Sequence, residues 1–194
     1  MKKLVLFFCF FASVCFADDQ LELLISPEAI SEKIRQVSEQ LNHDYQGKDL
    51  TLIMVEKGGI CITADLMREI KVPFTLECIK ASSYGENGMI SGTLTLSNIN
   101  NLNLESKDVL IVDDIFDTGK TMVGIIEQLK LKNPNSIKSL VLLAKSVNRK
   151  TTYEPEYVMF NIENRFVIGY GLDYKEYYRG LPGIYAFVND TPPD

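Results

Sequence analysis

Hydrophobic and polar positions along the chain alternate between a helical and a strand-like pattern. Apolar residues recur at Ile30, Ile34, Val37 and Leu41, and Ser26-Pro27-Glu28 ahead of them supplies an N-cap, a proline suited to the first helical position and an early acid. The pattern predicts a helix over 27–43. Gly47-Lys48-Asp49 then leads into LTLIMV (50–55), an apolar run of strand length, and Glu56-Lys57-Gly58-Gly59 turns into an amphipathic helical segment, 60–70, that ends before Pro73. FTLECIKA (74–81) reads as a second strand, and the polar, glycine-containing stretch 82–92 as a long mobile loop or hairpin. VLIVD (109–113) is the clearest buried parallel strand, being apolar and β-branched up to an acidic end, with a helix over 119–132 after a short turn. Strands follow over 137–145, 157–162 and 166–171, with the turn Glu163-Asn164-Arg165 between the last two and a polar tail from Asp190. This succession predicts a mostly parallel α/β sheet with helices on both faces, its ligands at the carboxyl ends of strands where the strand order reverses.

The length of 194 residues suits one domain, residues 18–194. With 20 Lys and Arg against 26 Asp and Glu, the net charge of −6 argues against broad binding to nucleic acid or anionic lipid. An anionic substrate therefore has to be captured locally. The apolar residues are unevenly spread: 14 of the first 17 are hydrophobic. Lys2 and Lys3, the run Leu4 to Phe16 and the small-x-small Cys15-Phe16-Ala17 read as a signal peptide cleaved before Asp18, with an uncleaved extension or a misassigned start as alternatives. A helix over that run would cover about 20 Å, short of the roughly 30 Å hydrocarbon core, so no stable membrane span is expected. Cys61 and Cys78 lie among apolar neighbours and read as buried free thiols; His43, the only histidine, falls near the exposed end of the first helix.

The chemistry concentrates in Asp113-Asp114-Ile-Phe-Asp117-Thr118-Gly119-Lys120-Thr121. Two carboxylates at a strand end, a third close behind and a Thr-Gly-Lys-Thr turn at a helix start make a phosphate cradle: the helix presents free N–H groups and its positive dipole end, Gly119 permits close approach, and the hydroxyls of Thr118 and Thr121 add donors. Carboxylates repel phosphate, so the partners of Asp113 and Asp114 would be sugar hydroxyls or Mg²⁺. A P-loop is excluded because that motif needs glycine at position 114, which is Asp.

At these residues the sequence resembles the type I phosphoribosyltransferases, which bind 5-phosphoribosyl-1-pyrophosphate (PRPP) with an apolar run, two acids and a D-T/S-G-x-T loop. Val55-Glu56-Lys57-Gly58-Gly59, Ser83-Tyr84, Leu142-Leu143-Ala144-Lys145 and the stretch Phe166 to Arg179, with its Leu172-Asp173-Tyr174-Lys175-Glu176-Tyr177-Tyr178-Arg179, extend the resemblance to the hypoxanthine-guanine branch, from about Ile25 to Phe187. The resemblance implies a mostly parallel central sheet flanked by helices with a small hood. It also implies Mg²⁺-dependent conversion of hypoxanthine or guanine plus PRPP to the mononucleotide and pyrophosphate.

The resemblance also implies roles. Asp117 would be the general base or proton relay near the purine N7, its basicity raised by Asp113 and Asp114. Thr118, Gly119, Lys120 and Thr121 would hold the 5′-phosphate, Lys120 through its backbone. Asp113 and Asp114 would hold the ribose hydroxyls and one Mg²⁺, and Asp173 a second Mg²⁺ shared with pyrophosphate. Lys57, Gly58 and Arg179 would meet pyrophosphate, where the family often has an unusual backbone conformation. Lys145 would donate to the purine O6, Phe166 would stack on the base, and Val167 would use its backbone groups on the base edge. Ser83 and Tyr84 would belong to the loop that closes over the site.

One position departs from the pattern. The hypoxanthine-guanine enzymes usually carry Glu-Asp where this chain has Asp113-Asp114, a pair seen in xanthine-guanine relatives, which leaves base preference open. The alternative to an enzyme is a regulator of the same fold that binds PRPP or nucleotide without turnover. The expected partners are small molecules, with no nucleic acid, and a second or further copies of the chain in a homodimer or homotetramer. PRPP is made in the cytosol, so the substrate points to the cytoplasm, whereas the leader 1–17 points to export or tethering in the envelope.

Overall fold

The computed structural model describes residues 21–84 and 93–188. The leader 1–17, and residues 85–92 of the loop read over 82–92, lie outside that set. Its elements run β1 (Leu21–Ile25), α1 (Pro27–Asp44), β2 (Leu50–Glu56), α2 (Ile60–Glu69), β3 (Phe74–Tyr84), β4 (Thr93–Ser97), β5 (Asp108–Phe116), α3 (Lys120–Lys130), β6 (Ser136–Lys145), β7 (Tyr157–Ile162), β8 (Val167–Ile168) and β9 (Ile184–Phe187).

The predicted α1 forms where expected. The Ser26 hydroxyl accepts a hydrogen bond from the Ala29 amide at 3.2 Å, Pro27 opens the helix, and Ile30, Ile34, Val37 and Leu41 are its buried stripe. The helix predicted over 119–132 is shorter at both ends, since Gly119 is its N-cap in the left-handed region (φ +83°) and the chain turns out before Asn133-Pro134. The strand read over 166–171 stops after Ile168, because Gly169, Tyr170 and Gly171 all take positive φ and turn the chain back on itself.

Six strands form the main sheet in the order β4-β3-β2-β5-β6-β7, parallel throughout except for the antiparallel pair β3–β4. The chain passes from β2 outward to β3 on one side, then returns to place β5 on the other. The order therefore reverses between β2 and β5, and the carboxyl ends of these two strands flank the crevice that such sheets offer to ligands. Side chains alternate cleanly across the sheet. Leu50, Leu52, Leu110, Val112, Leu140 and Leu142 pack with α1 and α2 on one face, while Ile53, Val55, Val109, Ile111 and Val141 pack with α3 and Ile99, Leu102 and Leu104 on the other. Each fully buried aliphatic chain of this kind contributes about 1.5–3 kcal/mol relative to exposure, which makes the strand ends a rigid platform.

A separate three-stranded antiparallel sheet, β1-β9-β8, joins the start of the described chain to its end. It is the small hood expected from the resemblance. Its strands β1 and β9, and β4 in the main sheet, escape the sequence reading because each is only four or five residues long and is defined by its partner. The loop read from 82 begins later, as β3 continues to Tyr84 and pairs with β4 from Lys80↔Ser97 to Tyr84↔Thr93. Cys61 and Cys78 are free thiols, half-buried and not buried as expected. Among the described residues, no helix is long and apolar enough to cross a membrane.

Candidate active site

The end of β5 carries the acid pair. Asp113 points into the protein at 7% exposure, and its Oδ1 accepts from the Asp114 amide at 3.0 Å, while Asp114 Oδ1 accepts from the Ile115 amide at 2.8 Å. Burial, and then the adjacent carboxylate of Asp114, push the Asp113 carboxyl well above the usual carboxylate range. Burial raises Asp114 too, opposed by hydrogen bonds from Asp113 and backbone amides and by the charge of Arg179. A cation or a hydroxyl donor placed against the two carboxyls would offset the burial and the mutual repulsion that raise them. Asp117 lies exposed beyond the end of β5.

Four residues further on, the chain forms the anion cradle. Gly119 packs so closely that a Cβ there would lie 2.2 Å from Thr151 Cγ2 and 3.0 Å from Phe116 Cζ. The Lys150 amide donates to the Thr118 carbonyl at 3.1 Å, and the Val123 amide to the Gly119 carbonyl at 3.0 Å, which closes the first turn of α3. No side chain caps this helix. Amides at a helix start are donors suited to an anion, and Thr118 and Thr121 flank this one with hydroxyl-bearing side chains.

Opposite the acid pair sits the turn after β2, with a cis peptide between Glu56 and Lys57. This is the unusual backbone conformation anticipated there. A Cβ on Gly58 would fall 1.5 Å from Asp114 Oδ2, and one on Gly171 would fall 2.1 Å from the Gly58 carbonyl oxygen. Three chain segments therefore meet at Gly58 with no room for a side chain. Arg179 fastens the third: it donates to the Gly171 carbonyl at 2.7 Å, and pairs with Asp173 Oδ1 at 2.8 Å and Glu176 Oε2 at 3.2 Å. Lys57 Nζ reaches the same Glu176 oxygen at 2.9 Å. Lys57, Gly58, Asp114, Asp173 and Arg179, spread over 123 positions of sequence, are brought to one rim.

Lys145 ends β6 on the same edge of the sheet, one residue past the level at which Phe116 of β5 faces Ala144. It lines an open pocket of about 560 Å³ with Ser146, Val147, Asn148, Arg149 and Asn164. The Arg149 guanidinium lies 4.5 Å from the centre of the Phe116 ring, tying this pocket to the cradle. Phe166 lies outside that lining. It is 39% exposed and packs edge-on against Tyr174 at 5.7 Å and at a 33° tilt against Phe187 at 6.2 Å. Val167 is buried in β8 opposite Ala186. Ser83 and Tyr84 take part in β3 by their backbones; their side chains lie outside what the structure describes. Sequence reasoning missed Glu176 and Arg149, whose only sequence signal was that Glu176 sits inside the Leu172-to-Arg179 stretch.

A helix start with a glycine N-cap, an acid pair and two cations come together around the carboxyl ends of β2 and β5, where the strand order reverses. A model of the phosphoribosyl transferase domain matches residues 21–175, and the chain belongs to the phosphoribosyltransferase family. Among its relatives is a hypoxanthine-guanine phosphoribosyltransferase of Staphylococcus aureus, 36% identical over 167 residues that cover 86% of this chain and 93% of that one. A bifunctional protein TilS/HprT of Listeria innocua is also 36% identical over 167 residues, but those are 26% of its length, so this chain spans about a quarter of that relative. The solved structure of a hypoxanthine-guanine phosphoribosyltransferase from Bacillus anthracis, with HEPES in its active site, matches with a TM-score of 0.81 and 36% identity over 86% of this chain and 98% of that one.

Proposed function

We propose that this chain is a purine-salvage enzyme that transfers the 5-phosphoribosyl group of PRPP to hypoxanthine or guanine, giving inosine or guanosine monophosphate and pyrophosphate. The convergence of the α3 cradle, the Asp113-Asp114 pair and the Lys57–Arg179 rim around Gly58 carries this reading. In the reaction the bond from C1′ to the pyrophosphate oxygen breaks, the bond from C1′ to N9 of the purine forms, and the purine loses one proton.

The residues divide that task by their chemistry. Amides and hydroxyls of Thr118 to Thr121 hold the 5′-phosphate, and Asp113 and Asp114 accept from the ribose 2′- and 3′-hydroxyls. Lys57, the Gly58 backbone and Arg179 neutralise charge gathering on the leaving pyrophosphate as the C1′ bond loosens. Asp117, exposed at the mouth of the cleft, takes the purine proton. Lys145 donates to O6, which selects a 6-oxo base over a 6-amino one, Phe166 stacks on the ring, and Val167 offers its backbone to the base edge. Ser83 and Tyr84 would belong to a segment that closes over the site and excludes water.

The acid groups also suit Mg²⁺. Among the described residues no three His, Cys, Asp or Glu side chains form a metal cage. Mg²⁺ is ordinarily held by one or two carboxylates together with substrate phosphates and water, which fits Asp113 and Asp114 on one side and Asp173 on the other. Bound there, it would supply Lewis-acid neutralisation of the pyrophosphate oxygens. The same reading carries a cytoplasmic setting, where PRPP is made, and a homodimer or homotetramer.

Steady-state formation of inosine monophosphate from hypoxanthine, PRPP and Mg²⁺ tests the function. Turnover in the wild type is expected, and its absence with tight PRPP binding would mark the chain as a regulator of the same fold.

A further inference from the structure

Glu176 belongs to none of the roles above, yet it sits between the two cations of the rim. Its Oε2 accepts from Lys57 Nζ at 2.9 Å and from Arg179 NH2 at 3.2 Å, joining segments 119 positions apart. The loop is built to put it there. The Glu176 amide donates to Asp173 Oδ2 at 2.8 Å, and Tyr174 and Tyr177 exchange backbone hydrogen bonds at 3.2 and 2.9 Å. Lys175, Glu176 and Tyr178 all lie at positive φ, +51°, +69° and +71°. Three residues with side chains in the left-handed region within one short loop are costly, and such strain persists where surrounding contacts over-determine the geometry, typically at ligand clamps. Both partners of the Lys57 pair are solvent-exposed, at 59% and 65% of their side-chain surface, so a dissolved anion can reach Lys57 and that pairing is weak enough to exchange, while Arg179 is 24% exposed.

We propose that Glu176 is a built-in counter-anion: it pairs Lys57 and Arg179 when the leaving-group site is empty, competes with pyrophosphate for them, and thereby speeds pyrophosphate release. The role rests on the phosphoribosyltransfer reading of the same site. Glu176 touches no substrate atom here; it acts through the two cations and is a positioning residue.

Binding of magnesium pyrophosphate to the full chain, measured by titration calorimetry, tests the role, with inosine monophosphate as the control ligand. Glu176→Gln removes the charge at an exposed position and is expected to bind pyrophosphate about three- to tenfold tighter while its affinity for the mononucleotide stays within about twofold. Glu176→Asp, which keeps the charge, should remain near the wild type. In a Lys57→Met background the gain from Glu176→Gln should shrink, because one of the two competed cations is gone. Equal or weaker pyrophosphate binding by Glu176→Gln, in a wild type that turns over hypoxanthine, overturns the counter-anion role alone. A wild type that neither binds pyrophosphate nor turns over overturns the functional reading and this role together.

Discussion

On the proposed reading the cradle at the start of α3 and the rim around Lys57 both receive phosphate groups, but they are made in opposite ways. The cradle is local: four consecutive residues, 118–121, with Gly119 at φ +83° and the amides and hydroxyls of a helix start as the proposed donors. The rim is assembled from the turn after β2 and the loop 171–179, uses side-chain charges, and already satisfies those charges internally through Asp173 and Glu176. Fixed amides hold an anion that stays bound through the reaction at no reorganisation cost. Side-chain charges that already have internal partners suit a group that must arrive with the substrate and leave as product.

The largest expected effect probes the chemistry lying between the two regions. Asp117→Asn should lower kcat by about 10²- to 10⁴-fold with little change in the KM for PRPP, read by steady-state kinetics. Undiminished turnover would remove Asp117 from its role.

Glycine substitutions then separate cradle from rim. Gly58→Ala puts a methyl 1.5 Å from Asp114 Oδ2, against strand-anchored neighbours, and should cost about 1–3 kcal/mol of stability by denaturant unfolding and weaken pyrophosphate more than mononucleotide. Gly119→Ala combines an unfavourable φ with the contact to Thr151 and should weaken the mononucleotide instead. Loss of both ligands in equal measure from either variant would mean that the two regions are not separate units.

A smaller effect concerns the acid pair. With a folded pKa raised above its unfolded value, Asp113 keeps its proton in the native state at pH values where the unfolded chain has lost it. Stability of the ligand-free protein should therefore fall as pH rises from the ordinary carboxylate range toward the raised value. Asp113→Asn, which cannot ionise, should raise the Tm by a few degrees near neutral pH and by less at acid pH, about 2–4 °C per kcal/mol for a chain of this size. A variant less stable than the wild type at every pH would contradict the assigned burial cost. The smallest effect is ionic: raising salt should weaken pyrophosphate, which meets exposed side-chain charges, more than the mononucleotide on its backbone amides.

The same division governs what could be read from the residues alone. α1 was legible from Ser26-Pro27-Glu28 and its four-residue apolar spacing, and the cradle from Asp113 to Thr121, because helix caps and anion-binding turns are specified by neighbours in sequence. The parallel core strands were legible as apolar runs. Strands β1, β4 and β9 were not, since a strand of four or five residues owes its existence to the edge it pairs with. The upward push on Asp113 and Asp114 was not legible, because burial is its largest cause and burial is a property of the folded sheet.

By itself, then, the order of residues determined the α/β class, the family resemblance and the glycine turn into α3, all of which depend on interactions within a few positions. Only the tertiary structure decided that Gly58 lies wedged between Asp114 and Gly171, and that Lys57 and Arg179 share Glu176. Contacts across 119 positions arise from which strands become neighbours when the sheet buries both faces, and no local pattern carries that information.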